Sequence, residues 1–124
     1  MSQIRAVCLN CMDGRAQIPV ITWIKKELDV EYVDMITEAG MDGFLLDQSK
    51  DTEAVKQKVQ LSIDVNHART IVIVGHHDCK GNPVSDEVHK EQIQKAVEDF
   101  KKQFSDVKVQ GIWLNSEFEV EAVG

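Results

Sequence analysis

Thr70-Ile71-Val72-Ile73-Val74-Gly75-His76-His77-Asp78-Cys79-Lys80-Gly81, residues 70–81, is the stretch whose reading decides the fold. It opens on five β-branched residues in a row, the composition of a strand buried on both faces. Gly75 ends the run, and the polar turn beyond it carries a His-x-x-Cys spacing. Upstream, residues 4–9 (IRAVCL) form a second short apolar run, ended by polar residues and Gly14. Residues 31–37 (EYVDMIT) alternate Tyr32, Val33, Met35 and Ile36 with acidic residues and stop at Ala39-Gly40, which reads as an outer strand. Downstream, residues 107–114 (VKVQGIWL) read as a fourth strand. Residues 117–123 (EFEVEAV) alternate strictly, as an edge strand or hairpin partner of the fourth does.

Helical periodicity fills the intervals. Ile18, Ile21, Trp23, Ile24 and Leu28 recur near a 3.6-residue period, with Lys25, Lys26 and Glu27 opposite. Asp51 or Thr52 caps a segment running to about Val65, with Ala54, Val55, Val59, Leu61 and Ile63 expected inside. After Pro83, residues 84–104 carry Val88, Ile93, Val97, Phe100 and Phe104 among many charges. Strand and helix therefore alternate, which implies right-handed crossovers and an α/β fold. The expected architecture is an open, mostly parallel sheet of order 2-1-3-4 with helices on both faces, and residues 117–123 as an antiparallel edge.

With 124 residues, 43% hydrophobic and 28% charged, the chain suits one globular domain spanning residues 1–124. A net charge of −7 argues against nucleic acid or an anionic membrane as a partner. No run approaches the ~20 apolar residues of a membrane helix. Met1 leads directly into Ile4-Arg5-Ala6-Val7 without the features of a signal peptide, so the cytoplasm is the expected compartment. Three cysteines, an odd number, read in a reducing compartment as ligands or core residues. No Gly-x-Gly-x-x-Gly follows the first strand, and no Gly-x-x-x-x-Gly-Lys is present for phosphate.

Two polar clusters follow strand ends: Cys11-Met12-Asp13-Gly14-Arg15 and Gly75-His76-His77-Asp78-Cys79. In a doubly wound sheet the first and third strands are neighbours, ~4.8 Å apart, and the loops leaving them diverge around a crevice. Thiolate and imidazole are the ligands zinc prefers, and His-x-x-Cys lets one turn present two of them. Cys11 supplies a third. The fourth position is either open to water or filled by Asp13, whose carboxylate also has Arg15 as a bidentate partner. Cys8 and Cys11 form a Cys-x-x-Cys that reads either as half of a closed Cys3His site or, for Cys8, as a small apolar core residue. His67 and His89 read as helix-surface residues and His77 as a loop residue facing solvent. Asp78 reads either as a loop carboxylate or as the partner that orients His76.

Together these residues resemble the β-class carbonic anhydrases. Residues 11–15 are similar to that family's Cys-x-Asp-Ser-Arg motif, with Gly14 in place of Ser, and His76 to Cys79 are similar to its His-x-x-Cys motif. Ala39-Gly40 is similar to its Asn-Ala-Gly turn, whose backbone lies near the substrate, with Glu38 in place of Asn. The resemblance spans roughly residues 4 to 114. It implies that Cys11, His76 and Cys79 bind Zn2+, that Asp13 hydrogen-bonds a zinc-bound hydroxide or replaces it at the metal, and that Arg15 holds Asp13. The activity implied is zinc-dependent, reversible hydration of carbon dioxide to bicarbonate, by a homodimer or higher homo-oligomer. Two other readings share the metal site: a catalytically silent zinc protein, structural or regulatory, and a zinc hydrolase acting on another small electrophile.

Overall fold

The strand Arg5–Asn10 (β1) sends alternate residues into two different cores. Val7 and Leu9 face one cluster, Ala6 and Cys8 the other, and all four are fully buried. A strand covered on both faces must lie inside a sheet. In the computed structural model, which describes residues 4–124, it does. β1 pairs in parallel with β2 (Tyr32–Thr37) on one side and with β3 (Thr70–His76) on the other. β4 (Lys108–Leu114) continues in parallel beyond β3, and β5 (Val120–Ala122) closes the edge antiparallel to β4, giving the order β2-β1-β3-β4-β5. Both the expected order and the antiparallel edge are present. Met1 to Gln3, part of the start read for a targeting signal, lie outside the described residues.

The helices divide between the faces. α1 (Gln17–Glu27) lays Val20 and Ile24 against Ala6, Cys8, Val72, Val74, Ile112 and Leu114. On the opposite face sit α2 (Met41–Phe44), α3 (Thr52–Asp64) and α4 (Asp86–Gln103). Caps fix their starts: the Asp51 side chain accepts from Ala54 N–H at 3.3 Å, and Ser85 Oγ accepts from Val88 N–H at 3.2 Å. Pro83 thus ends the loop and Ser85 begins the helix. None of the helices among the described residues is long and apolar enough to cross a membrane.

Inner-face expectations are corrected on three helices. In α3 the buried stripe is Val55, Val59 and Ser62, spaced i, i+4, i+7, and Leu61 stands about 100° off it and is 60% exposed. Ala54 is exposed as well, and the buried Ser62 hydroxyl donates to Asp34 Oδ2 at 2.6 Å. Ile18 lies outside the Val20–Ile24 stripe of α1. On α4 the inward residues are His89, Ile93, Ala96, Val97 and Phe100, so His89 is wholly buried and not a surface residue, while its neighbour Val88 faces out. The short α2, within the stretch between Gly40 and Asp51, is an element the periodicity does not signal.

α4 packs so closely on the sheet that glycine is required below it. A Cβ on Gly111 of β4 would sit 2.5 Å from Ile93 Cγ2 and 3.1 Å from Val97 Cγ2, both on stiff β-branched side chains. Gly111→Ala is expected to destabilise the protein by about 1–3 kcal/mol, read as a lower urea midpoint at unchanged slope. An unchanged midpoint would show that α4 can shift freely.

Candidate metal centre

Because β1 and β3 are adjacent and parallel, the residues that leave their C-terminal ends emerge side by side. Cys11 follows the last residue of β1, His76 is the last of β3, and Cys79 lies three residues on. Their ligand atoms all fall within 4.8 Å of one another, and all three residues are buried. The two sulfurs are 3.9 Å apart, with no disulfide. His76 Nδ1–H donates to the His77 carbonyl at 2.8 Å, which fixes the ring and leaves Nε2 as the acceptor nitrogen. That Nε2 is buried without a hydrogen-bond partner. A buried polar atom in that condition is costly unless something else satisfies it. The group of three can hold a metal ion.

Cys8 is not part of it. Its side chain lies in the core under α1, wholly buried, and burial pushes its thiol far above the ordinary range. Burial likewise raises Cys79, helped by the neighbouring Cys11, to about 11. Burial also acts to raise Cys11, but the His76 imidazole and the N–H groups of Gly40 and Asp13 outweigh it and bring this thiol down to about 7. Burial tends to lower His76, but Cys11 and the His77 carbonyl prevail and raise it. Gly40 N–H points at Cys11 Sγ from 3.4 Å. It can do so because Gly40 is left-handed (φ 61°) and packs backbone to backbone on the second ligand loop, where a Cβ would meet Gly81 C and O at 2.7 Å. Gly14, by contrast, has open space around it.

Asp13 and Arg15 stand at the rim. Asp13 accepts from Arg15 N–H at 2.9 Å, capping the turn Gly14–Ala16, and its carboxylate also receives Arg15 Nη2 at 2.7 Å and Nε at 3.2 Å. These bonds hold the Asp13 carboxyl near 2, well below the usual range. Asp13 Oδ2 is 3.9 Å from His76 Nε2. Arg15 also reaches across to the other loop, donating to the Asp78 carbonyl at 3.1 Å and to Asp78 Oδ2 at 3.4 Å. Asp78 therefore pairs with Arg15 and with Lys80, and the orienting partner of His76 is the His77 carbonyl. His77 pairs with Asp86 at 2.9 Å.

Three supports have no sequence signature. Gln17 Nε2 donates to the Cys11 and Asp13 carbonyls, both at 2.8 Å, tying the first loop to the start of α1. Asp42, buried between the sheet and α4, accepts from Gly43 N–H, Asn82 Nδ2 and His89 Nδ1. Phe118, in the turn before β5, packs on His76 with ring centroids 6.0 Å apart and lies under the Arg15 guanidinium, 4.7 Å from its carbon. A cleft of about 520 Å³ opens beside Gly40 and Gly81, lined also by Glu38, Phe44, Lys50 and Asn82. A larger one, about 720 Å³, is at the opposite end of the strands by Leu28, Thr70 and Lys108, far from the cluster.

The fold and the cluster define an α/β protein with a Cys-His-Cys site at the edge where β1 and β3 end. The whole chain, residues 1–124, matches the family described as "Putative carbonic anhydrase", and the chain belongs to that family. No curated sequence matches it closely. Among solved structures it is similar in fold to the apo form of a carbon disulfide hydrolase (TM-score 0.69, 15% identity, 100% of this chain and 81% of that one). It is also similar to a carbonic anhydrase from Streptococcus mutans (0.66, 17%, 95% and 81%) and to a tetrameric β-carbonic anhydrase from Sordaria macrospora (0.62, 10%, 99% and 82%).

The thiols give a direct test of this electrostatic layout. As pH rises, thiolate absorbance near 240 nm in metal-free protein should grow in one step near pH 7 and a second near pH 11, with Cys11→Ser removing the lower step. A single step at the ordinary thiol pKa of ~8.5 would contradict it.

Proposed function

We propose that the chain is a zinc-dependent carbonic anhydrase in which Cys11, His76 and Cys79 are the protein ligands. The observation that carries the reading is the buried, partnerless Nε2 of His76 facing two thiols. The donor set fits zinc: two ~2.3 Å zinc–sulfur bonds in a tetrahedron place their sulfurs ~3.8 Å apart, against 3.9 Å here. A thiol already lowered to about 7 gives up its proton readily to metal binding. Zinc, when bound, supplies a Lewis acid that brings the pKa of water towards ~7.

The remaining work falls to the chain. Arg15 holds the Asp13 carboxylate as a hydrogen-bond acceptor at the rim, with Oδ2 turned to the His76 side. So held, the Asp13 carboxylate stays ionised and can accept a hydrogen bond from water at the rim, leaving Cys11, His76 and Cys79 as the residues that would hold the metal. The Gly40 and Gly81 backbones, packed on each other, form the wall between the cluster and the adjoining cleft. Gln17 keeps the Cys11–Asp13 loop in register with α1.

One zinc per chain is expected on elemental analysis, lost in Cys11→Ser and Cys79→Ser and kept in Cys8→Ser. Stopped-flow hydration of carbon dioxide should rise between pH 6.5 and 9, because the attacking water must lose a proton. Arg15→Ala should lose most of the activity and keep its zinc, since Arg15 is not a ligand. Zinc-replete protein that never exceeds the buffer rate would overturn the carbonic anhydrase reading in favour of a silent zinc protein. Carbon disulfide, run in parallel, tests the hydrolase alternative.

Self-association belongs to the same proposal. β2 forms an open sheet edge with Tyr32 54% exposed, and a fold relative is a tetramer. Sedimentation at micromolar concentration should give a dimer or larger species, and a clean monomer would contradict this.

A further inference from the structure

Phe118 occupies a backbone position that bulky residues rarely take. The turn after β4 is closed by Phe118 N–H to the Asn115 carbonyl (2.8 Å) and Asn115 N–H to the Glu119 carbonyl (3.0 Å). The Asn115 side chain locks it further, Oδ1 accepting from Glu117 N–H at 2.9 Å and from Glu119 N–H at 3.1 Å. A hairpin of this kind puts its fourth residue in the left-handed region, where glycine is the usual occupant. Here that residue is Phe118, at φ 56°. Strained non-glycine positions of this sort concentrate at functional sites. The conformation carries the ring back over the metal centre, against His76 and beneath Arg15.

Arg15 is the group most in need of such a seat. Its side chain is 47% exposed, and its polar partners lie on two different loops, at Asp13 and Asp78. A guanidinium that stacks on an aromatic face loses less freedom per hydrogen bond it makes, and gains the attraction of the ring for a cation. We infer that Phe118 is a positioning residue, whose ring seats the Arg15 guanidinium and so keeps the Asp13 carboxylate paired away from the metal position. This rests on the zinc reading above, in which Asp13 has two alternative places. Phe118 rests on the His76 ring and beneath the Arg15 guanidinium, and its side chain offers no proton or ligand atom of its own. It acts through Arg15, and β5, with only three residues paired to β4, is the arm that delivers it.

Phe118→Gly is the informative variant, because glycine suits the turn and the hairpin survives while the ring is lost. In metal-free protein the Arg15 Nε–H resonance, assigned with Arg15→Lys, should lie upfield of that of Arg69 and lose this shift in Phe118→Gly. With cobalt in place of zinc, the visible spectrum of Phe118→Gly should move towards that of Arg15→Ala as Asp13 spends more time at the metal. The ratio of paired to released Asp13 should fall by about 2- to 30-fold, the range of a cation–π contact. Phe118→Tyr should restore both signals and Phe118→Leu neither, which a purely structural role would not produce. An Arg15 resonance or a cobalt spectrum unchanged in Phe118→Gly overturns the inference. Neither readout depends on turnover, so absence of carbon dioxide hydration in the wild type would defeat the functional proposal and leave this test standing.

Discussion

The parallel pairing of β1 with β3 is the constraint on which the site depends. Val7, Cys8 and Leu9 lie opposite Ile71, Val72 and Ile73, so β3 runs two residues beyond the end of β1, and Cys11, just past β1, comes out beside the end of β3 and shares its space with His76. Their next neighbours, β2 and β4, lie on opposite sides, so the chain leaves each strand in a different direction and a crevice remains between. Everything near the cluster then acts to hold polar loops across that gap. Gly40 approaches from the β2 side, Gly81 from the β3 side, and Arg15 bonds to both ligand loops.

The chemistry of the cluster follows from unequal environments for like groups. Cys8, Cys11 and Cys79 are all buried, but Cys8 sees only hydrocarbon while Cys11 faces an imidazole and two N–H donors. Burial alone raises a thiol and directed donors lower it. The same side chain is therefore an inert core residue at one position and an acidic ligand candidate three residues later.

The fold was largely legible because both faces of the sheet are covered, which writes the strands as nearly unbroken apolar runs. Residues 70–74 and 4–9 show this directly. Cys11, His76 and Cys79 were legible from spacing, since a metal-binding turn is a local object. What sequence does not show is the phase of a helix relative to the sheet. His89 and Val88 are adjacent, and only the packing of Ile93 and Val97 determines which one turns inward. Asp42, Gln17 and Phe118 stayed hidden for a related reason: each joins segments far apart in the chain, and neither its identity nor its neighbours mark it. Of the two readings of Asp78, the loop carboxylate holds: Arg15, 63 residues away in the chain, and Lys80 pair with it, a choice that proximity in sequence to His76 does not decide.

The Asp42 anchor has a mechanical consequence. One carboxylate bonds the start of α2, the loop beyond Cys79 through Asn82, and α4 through His89. The loop beyond Cys79 is therefore bolted to a helix in the core, and cannot swing without breaking bonds inside the protein. Motion of the loop beyond Cys79 is thereby tied to local opening around α4. The rigidity of the Cys79 arm of the cluster is thus set from inside the core, by a carboxylate that bonds none of the cluster's three residues.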